Sequence, residues 1–271
     1  MSAKINVNKL AEELHTKHLG KSIIFSSAVG STNDWAKELA ILGAQDGTVA
    51  IAETQTHGRG RLNRKWVSPR GGLWLSLVLR PKLRPAEASR LVFVCGLAVA
   101  ETLHQLYDLR VETKWPNDVL ANGKKVCGIL AEMNTKGEKL NYVILGIGIN
   151  ANFKVEILPE QLLENATSLK TELCTRISLE QLLKTLLERL ENAYALFMNQ
   201  GFDPILKEWK KYASFLGSQV EVTTTTEKWT GTAFDVDDDG SLMLKLGDET
   251  TRRVMAGDIQ IHPNKHETNS H

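Results

Sequence analysis

The chain has 271 residues, with 33 lysines and arginines against 32 aspartates and glutamates, for a formal net charge of +1. That length suits a large domain with a buried core, and near-neutrality argues against a dedicated nucleic-acid binder, which carries a basic surface. Cys95, Cys127 and Cys174 stand singly with no CxxC pair, as reduced core thiols of a cytosolic protein do, and not as metal ligands.

The first 20 residues lack the apolar core of a secretory signal. The longest apolar run, near residues 91–100, is shorter than the roughly 20 residues a bilayer span needs. The chain therefore reads as soluble and cytoplasmic.

Residues 4–19 read as a helix, with Leu10, Leu14 and His18 at i, i+4 spacing. Ile23-Ile24-Phe25 reads as a strand. Gly30-Ser31-Thr32-Asn33-Asp34 ends it and starts a helix that runs through Ala36 to Leu42. Ser31 or Thr32 can cap that helix, and Gly43 stops it. Such a helix start also offers hydroxyls and free N–H groups to a polar ligand. Apolar strands over residues 48–53 and 73–79 flank the loop His57-Gly58-Arg59-Gly60-Arg61-Leu62-Asn63-Arg64-Lys65-Trp66. Its glycines allow close backbone approach, and its arginines present forks that match phosphate or carboxylate oxygens. Short basic runs are also common on solvated surfaces.

Residues 86–107 form a long apolar helix, expected at the centre of the core, with Glu101 and His104 on its solvated side. Val111 to Trp115 is a strand stopped by Pro116. Asn122-Gly123 is a hairpin turn, followed by strands over residues 125–133 and 140–149. Consecutive antiparallel pairing of this kind predicts an α+β fold with a mixed, largely antiparallel sheet and packed helices. A weak helix over residues 159–169 precedes a strong one over 178–199, where Ser178 and Gln181 have capping-box spacing. A further helix over 202–216 ends at Gly217. Four or five short strands then fill residues 219–261, which predicts a small β-barrel. Asp237-Asp238-Asp239 reads as a solvated turn, because the calcium-loop pattern is missing. The end of the chain reads as a disordered tail.

Four stretches stand out together. They are Ser31-Thr32-Asn33; Gly58-Arg59-Gly60-Arg61 with Trp66; Lys114-Trp115-Pro116-Asn117-Asp118; and Lys125-Val126-Cys127-Gly128-Ile129-Leu130 followed by Gly146-Ile147-Gly148-Ile149-Asn150. In this order and spacing the chain closely resembles biotin–protein ligases, also called biotin–[acetyl-CoA-carboxylase] ligases, over roughly residues 23–261. The resemblance implies a class II synthetase-like catalytic domain over residues 1–216, an SH3-like domain over 217–262 and a tail over 263–271. It also implies a two-step reaction: biotin and ATP, with Mg²⁺, give biotinyl-5′-AMP and pyrophosphate, and a lysine of a biotin carboxyl carrier domain then takes the biotin.

By the same resemblance, Lys125, Arg61 and Asp118 carry the chemistry. Lys125 meets the α-phosphate and the biotin carboxylate, Arg61 holds the adenylate, and Asp118 orients the incoming amine or takes its proton. Ser31, Thr32, Asn33, Gln55, Gly58, Arg59, Arg61, Lys125, Gly128 and Leu130 are expected around biotin. Arg61, Arg64, Trp66, Lys125 and Asn150 are expected around ATP and the adenylate. No metal ligand is assigned to a protein side chain. Trp74 and Trp115 read as core, and Lys114 as a strand-end charge. The resemblance further implies that the 58–66 loop orders over ligand, and that the protein is a monomer or a homodimer. Only about 20 residues precede the first strand, too few for a winged helix, so no DNA-binding repressor function is expected. Three other readings compete: a lipoate-type ligase; a non-enzymatic nucleic-acid binder using the basic loop and the barrel; and an interaction adaptor with the barrel as a peptide-binding module.

Overall fold

Seven strands form the main sheet of the computed structural model, which describes residues 5–262. They are β1 (Ile23–Ser26), β2 (Thr48–Ala52), β3 (Leu73–Leu79), β4 (Val111–Lys114), β5 (Asp118–Ala121), β6 (Lys124–Lys136) and β7 (Lys139–Ile149), in the order β1-β2-β3-β7-β6-β5-β4. β1 and β2 run parallel, and every other neighbouring pair is antiparallel. The fold is the mixed α+β class expected. The Asn122-Gly123 turn has positive φ at both residues (50° and 78°), as a two-residue hairpin between right-twisted strands requires.

Eight helices accompany the sheet: α1 (Val7–Glu13), α2 (Thr32–Ile41), α3 (Pro85–Ala88), α4 (Leu91–Tyr107), α5 (Glu160–Leu163), α6 (Leu169–Leu173), α7 (Leu179–Gln200) and α8 (Asp203–Lys210). α4 and α7 cover one sheet face. Leu73, Leu75, Leu77 and Leu79 of β3 and Leu145, Ile147 and Ile149 of β7 pack with them in the main core. The alternate positions point the other way. Ala50, Val78 and Ile144 meet Ala36 and Ala40 of α2. A strand buried on both faces reads as a continuous apolar run, which is why β3 carries Leu-Trp-Leu-Ser-Leu-Val-Leu.

Four helical readings need correction. The helix read over residues 159–169 is only the single turn α5, with Leu169 opening α6. The predicted helix over residues 4–19 ends at Glu13. Carboxylates of α7 capture the next backbone N–H groups: Glu188 accepts from His15 at 3.3 Å, and Glu191 accepts from Lys17, from His18 at 2.7 Å and from Leu19 at 2.8 Å. His18 thus lies beyond the helix, stacked on Tyr194. The long helix near residue 86 is two helices, α3 and α4, joined where the bonds tighten to Phe93 N–H→Arg90 O. α8 stops at Lys210, because residues 211–216 turn with three-residue bonds and Tyr212 O accepts from Thr113 N–H of β4.

Burial raises the Glu191 carboxyl pKa, but the three N–H groups outweigh it and hold the pKa below the usual carboxylate range. Glu191 therefore contributes stability above the ordinary glutamate pKa, and that contribution is lost as pH falls through the lowered value. Glu191→Gln is expected to cost about 2 kcal/mol near neutrality. Urea midpoints should show the gap from wild type closing on acidification.

Beyond Gly217, strands β8 (Gln219–Thr223), β9 (Lys228–Val236), β10 (Leu242–Leu246), β11 (Thr251–Val254) and β12 (Asp258–Ile261) form a second antiparallel sheet, ordered β11-β10-β9-β8-β12. The ladder is open: among the described residues, β11 and β12 lie at opposite edges and do not pair. The acidic turn is neutralised by Arg253, which reaches Asp237 at 3.3 Å and Asp239 at 2.5 Å. Cys95 and Cys127 are buried free thiols whose pKa values burial pushes up, whereas Cys174 is exposed and not a core thiol. No described helix is long and apolar enough to cross a membrane. The predicted tail at residues 263–271 lies outside the described residues.

Candidate active site

The sheet face opposite α4 and α7 carries a cavity of about 270 Å³. Strand alternation builds its floor. Cys127 and Ile129 of β6 enter the core, so Gly128 and Leu130 face the cavity. On β7, Ile147 and Ile149 enter the core, so Gly146 and Gly148 face it. Simple alternation would bury Lys125. A bulge prevents this: Val119 pairs with Cys127 but Leu120 pairs with Lys125, leaving Val126 as the extra residue. Val126 joins Cys127 in the core, and Lys125 turns onto the cavity side.

The glycines of the floor make room for side chains from elsewhere. A Cβ on Gly146 would lie 2.1 Å from Asn33 Oδ1 of α2. One on Gly148 would lie 2.6 Å from Trp66 Nε1, and one on Gly128 3.0 Å from the same indole. Asn33 and Trp66 therefore lie directly on the backbone of the sheet.

One end of the cavity is polar, and the cation that reaches it, Arg59, is paired with Glu132 and Asp34. Ser31 is the N-cap of α2 by backbone, yet its hydroxyl makes no cap hydrogen bond. Gln55 Oε1 accepts from Thr32 N–H at 2.7 Å and from Thr32 Oγ1 at 3.0 Å. Ser76 Oγ lies 2.7 Å from Asn33 Oδ1 and 2.8 Å from Thr32 Oγ1.

The other end is cationic. Lys125 Nζ stands 2.7 Å from Asp118 Oδ1 and 5.2 Å from the centre of a Trp66 ring. Arg61 Nη1 donates to Asn117 Oδ1 at 3.1 Å and to Gly257 O at 3.0 Å. Asp258, the first residue of β12, lies 3.5 Å from Arg61 and 2.6 Å from Arg64. Burial lowers the Arg61 pKa, with Asp258 and Asp118 offsetting part of the effect. Between the two arginines, Leu62 and Asn63 both take left-handed backbone (φ 52° and 57°), a strained choice for leucine. Asn150 donates its amide to Thr167 O at 2.9 Å.

Every expected site residue lines this cavity except Gly58. Gly58 is buried within the loop, where a Cβ would lie 2.4 Å from Trp66 O. Arg59 lines the cavity, but its guanidinium is held by Glu132 and Asp34. Trp74 and Trp115 are core, as read. Lys114 ends β4, as read, and does not line the cavity; burial lowers its pKa, with Asp118 and Asp258 pulling it up and Lys125 pushing it down. Sequence reasoning missed Asn117 as an Arg61 partner, although it adjoins Asp118. It also missed Glu132, two residues beyond Leu130 on the same strand face, and Asp258, for which the sequence carries no local signal.

A shaped floor with neutral donors and acceptors at one end and cations at the other defines a site for an elongated ligand whose anionic end must be neutralised. Residues 26–150 match the biotin/lipoate A/B protein ligase family, and residues 215–261 match the biotin protein ligase C-terminal domain. The chain is 34% identical to the bifunctional ligase/repressor BirA of Bacillus subtilis over 259 residues, covering 95% of this chain and 79% of that protein. It is 36% identical to the biotin–[acetyl-CoA-carboxylase] ligase of Mycobacterium tuberculosis over 237 residues, 85% of each. The fold is similar to that of the biotin protein ligase from Aquifex aeolicus solved with biotin and ATP. That match has a TM-score of 0.78 at 29% identity, covering 89% of this chain and 99% of that one. The chain belongs to the biotin protein ligase family.

Proposed function

We propose that this protein activates biotin with ATP to biotinyl-5′-AMP, releasing pyrophosphate, and then transfers the biotin to a lysine of a biotin carboxyl carrier domain, such as that of acetyl-CoA carboxylase. The observation that carries this reading is the division of one cavity into a neutral polar end and a cationic end. In the first step a carboxylate attacks a phosphate, so anion meets polyanion, and fixed cations stabilise the transition state. Lys125 neutralises the carboxylate and the α-phosphate. Arg61 and Arg64 hold the phosphate side, with Trp66 and Asn150 toward the adenylate. Ser31, Thr32, Asn33 and Gln55 match the donors and acceptors of the ureido ring. Gly128 and Leu130 floor the same end.

Asp118 is paired with Lys125 at rest. In the second step it orients the carrier amine or takes its proton. ATP is expected as its Mg²⁺ complex. The two carboxylates lining the cavity, Asp118 and Asp258, are both paired with cations, and no side chain is assigned to the metal.

The domain division at residues 216–217 and an SH3-like character for the second module belong to the same proposal, supported by the C-terminal family match.

The test is transfer of biotin to a carrier domain with ATP and Mg²⁺, with lipoate and octanoate as competing acids. Biotin transfer supports the reading. Transfer of lipoate or octanoate alone keeps the adenylation and replaces the acid. No transfer from any acid overturns it.

A further inference from the structure

Arg59 belongs to the basic loop, yet its guanidinium is turned toward the protein. Its Nη1 and Nη2 atoms each lie 3.1 Å from one oxygen of Glu132, a parallel fork, and Nη2 lies 2.5 Å from Asp34 Oδ1. Glu132 stands on β6 and Asp34 on α2, so Arg59 ties the loop to both walls of the polar end. Glu132 does a second thing. Its Oε2 accepts from Asn33 Nδ2 at 2.7 Å, while Asn33 Oδ1 accepts from Ser76. Asn33 is 5% exposed and lies over Gly146.

The loop itself is a self-bonded ring. Trp66 N–H donates to Gly58 O at 2.8 Å, and Gly60 N–H donates to Arg64 O at 2.7 Å. These bonds tie residues 58–66 together, and side chains hold the ring to its neighbours at both ends. Arg61 and Arg64 reach Asn117 and Asp258 at one end, and Arg59 reaches Glu132 and Asp34 at the other. Glu132 does not line the cavity. It touches Asn33 and Arg59, which do.

We propose that Glu132 is a positioning residue: through Arg59 it seats the loop that carries Arg61, Arg64 and Trp66, and through Asn33 it fixes the polar end of the pocket. A charge-assisted fork in a partly buried setting resists rotation better than a single bond, so one carboxylate can set two groups at once. The inference rests on the proposed function only in naming biotin as the ligand whose KM it changes.

The first readout needs no ligand. The loop presents Arg59, Arg61, Arg64 and Lys65 to trypsin, and cleavage there requires the ring to leave the sheet. Glu132→Gln and Arg59→Gln are each expected to speed cleavage after Arg61, Arg64 and Lys65, sites present in both variants, by about tenfold, and the double variant little further, because the Arg59–Glu132 fork is already lost in each single variant. The second readout is kinetic. Glu132→Gln should raise the KM for biotin by about tenfold while kcat changes little, and Glu132→Asp should recover part of the loss. A merely structural role would lower the melting temperature without splitting KM from kcat. Should Glu132→Gln fold poorly, Glu132→Asp carries the kinetic readout, and Arg59→Gln, whose side chain lines the cavity, carries the trypsin readout alone. Wild-type cleavage rates in Glu132→Gln, or single effects that multiply in the double variant, would overturn the proposal. The trypsin result stands even if the acid proves to be other than biotin.

Discussion

Lys125→Ala is expected to slow formation of the acyl-adenylate by about 10²–10³-fold, the loss seen when a preorganised charge is removed from a developing anion. The expectation comes from position. The bulge that sends Val126 into the core turns Lys125 onto the cavity side, against Asp118 and over the Trp66 ring. Lys65 also lines the cavity, but the ion pair with Asp118 belongs to Lys125. Its neighbour Lys114, at the end of β4, does not line the cavity. The fold should tolerate the change. Lys125 is anchored by its backbone, with its N–H on Asn165 O at 2.8 Å and its carbonyl accepting from Thr167 N–H at 2.9 Å. Alanine keeps both bonds, and Asp118 retains the nearby charge of Arg61. Single-turnover yield of adenylate, measured beside a melting curve, separates chemistry from stability. A normal yield would remove Lys125 from the proposed mechanism.

The two β7 glycines should separate the two substrates. Gly146→Ala drives a methyl group to within 2.1 Å of Asn33 Oδ1, and Gly148→Ala drives one to within 2.6 Å of Trp66 Nε1. Both distances are impossible contacts, so the overlying side chain must leave. Overpacking of this kind costs about 1–3 kcal/mol of stability in each variant. Their kinetic effects should diverge. Displacing Asn33 breaks its bonds to Ser76 and Glu132, so Gly146→Ala should raise the KM for biotin by about 10–100-fold with a smaller change for ATP. Displacing Trp66 disturbs the loop end, so Gly148→Ala should raise the KM for ATP instead. These are free-energy losses of about 1.4–2.7 kcal/mol in binding. Equal changes in both constants would show that the glycines serve packing alone.

Much of this arrangement was legible in the residues. β3 appears where an apolar run is bounded by Gly71-Gly72 and Pro81, and the Asn122-Gly123 turn specifies its own hairpin. The cationic loop and the glycine-punctuated β7 were legible as unusual stretches, but each is ambiguous alone. Their meaning comes from side chains of one lying on the backbone of another, and no window of sequence reports that. The side-chain direction of Lys125 depends on a single extra residue in a ladder, which alternation assigns wrongly. The end of α1 is set by glutamates some 173 positions away, so local propensity overshoots it. Asp258 sits in a turn-and-strand segment that looks ordinary by composition, and only tertiary pairing brings it to Arg61 and Arg64.

A bond beside that contact joins residues 196 positions apart, from Arg61 of the loop to Gly257 next to β12. During synthesis, the sheet, α4 and α7 can be in place while the cavity still lacks the wall that Gly257 and Asp258 provide. A ribosome-bound chain missing β12, or one clipped within the second sheet, would present the pocket with its arginines untethered. β12 thus couples completion of the second sheet to the seating of the cationic loop.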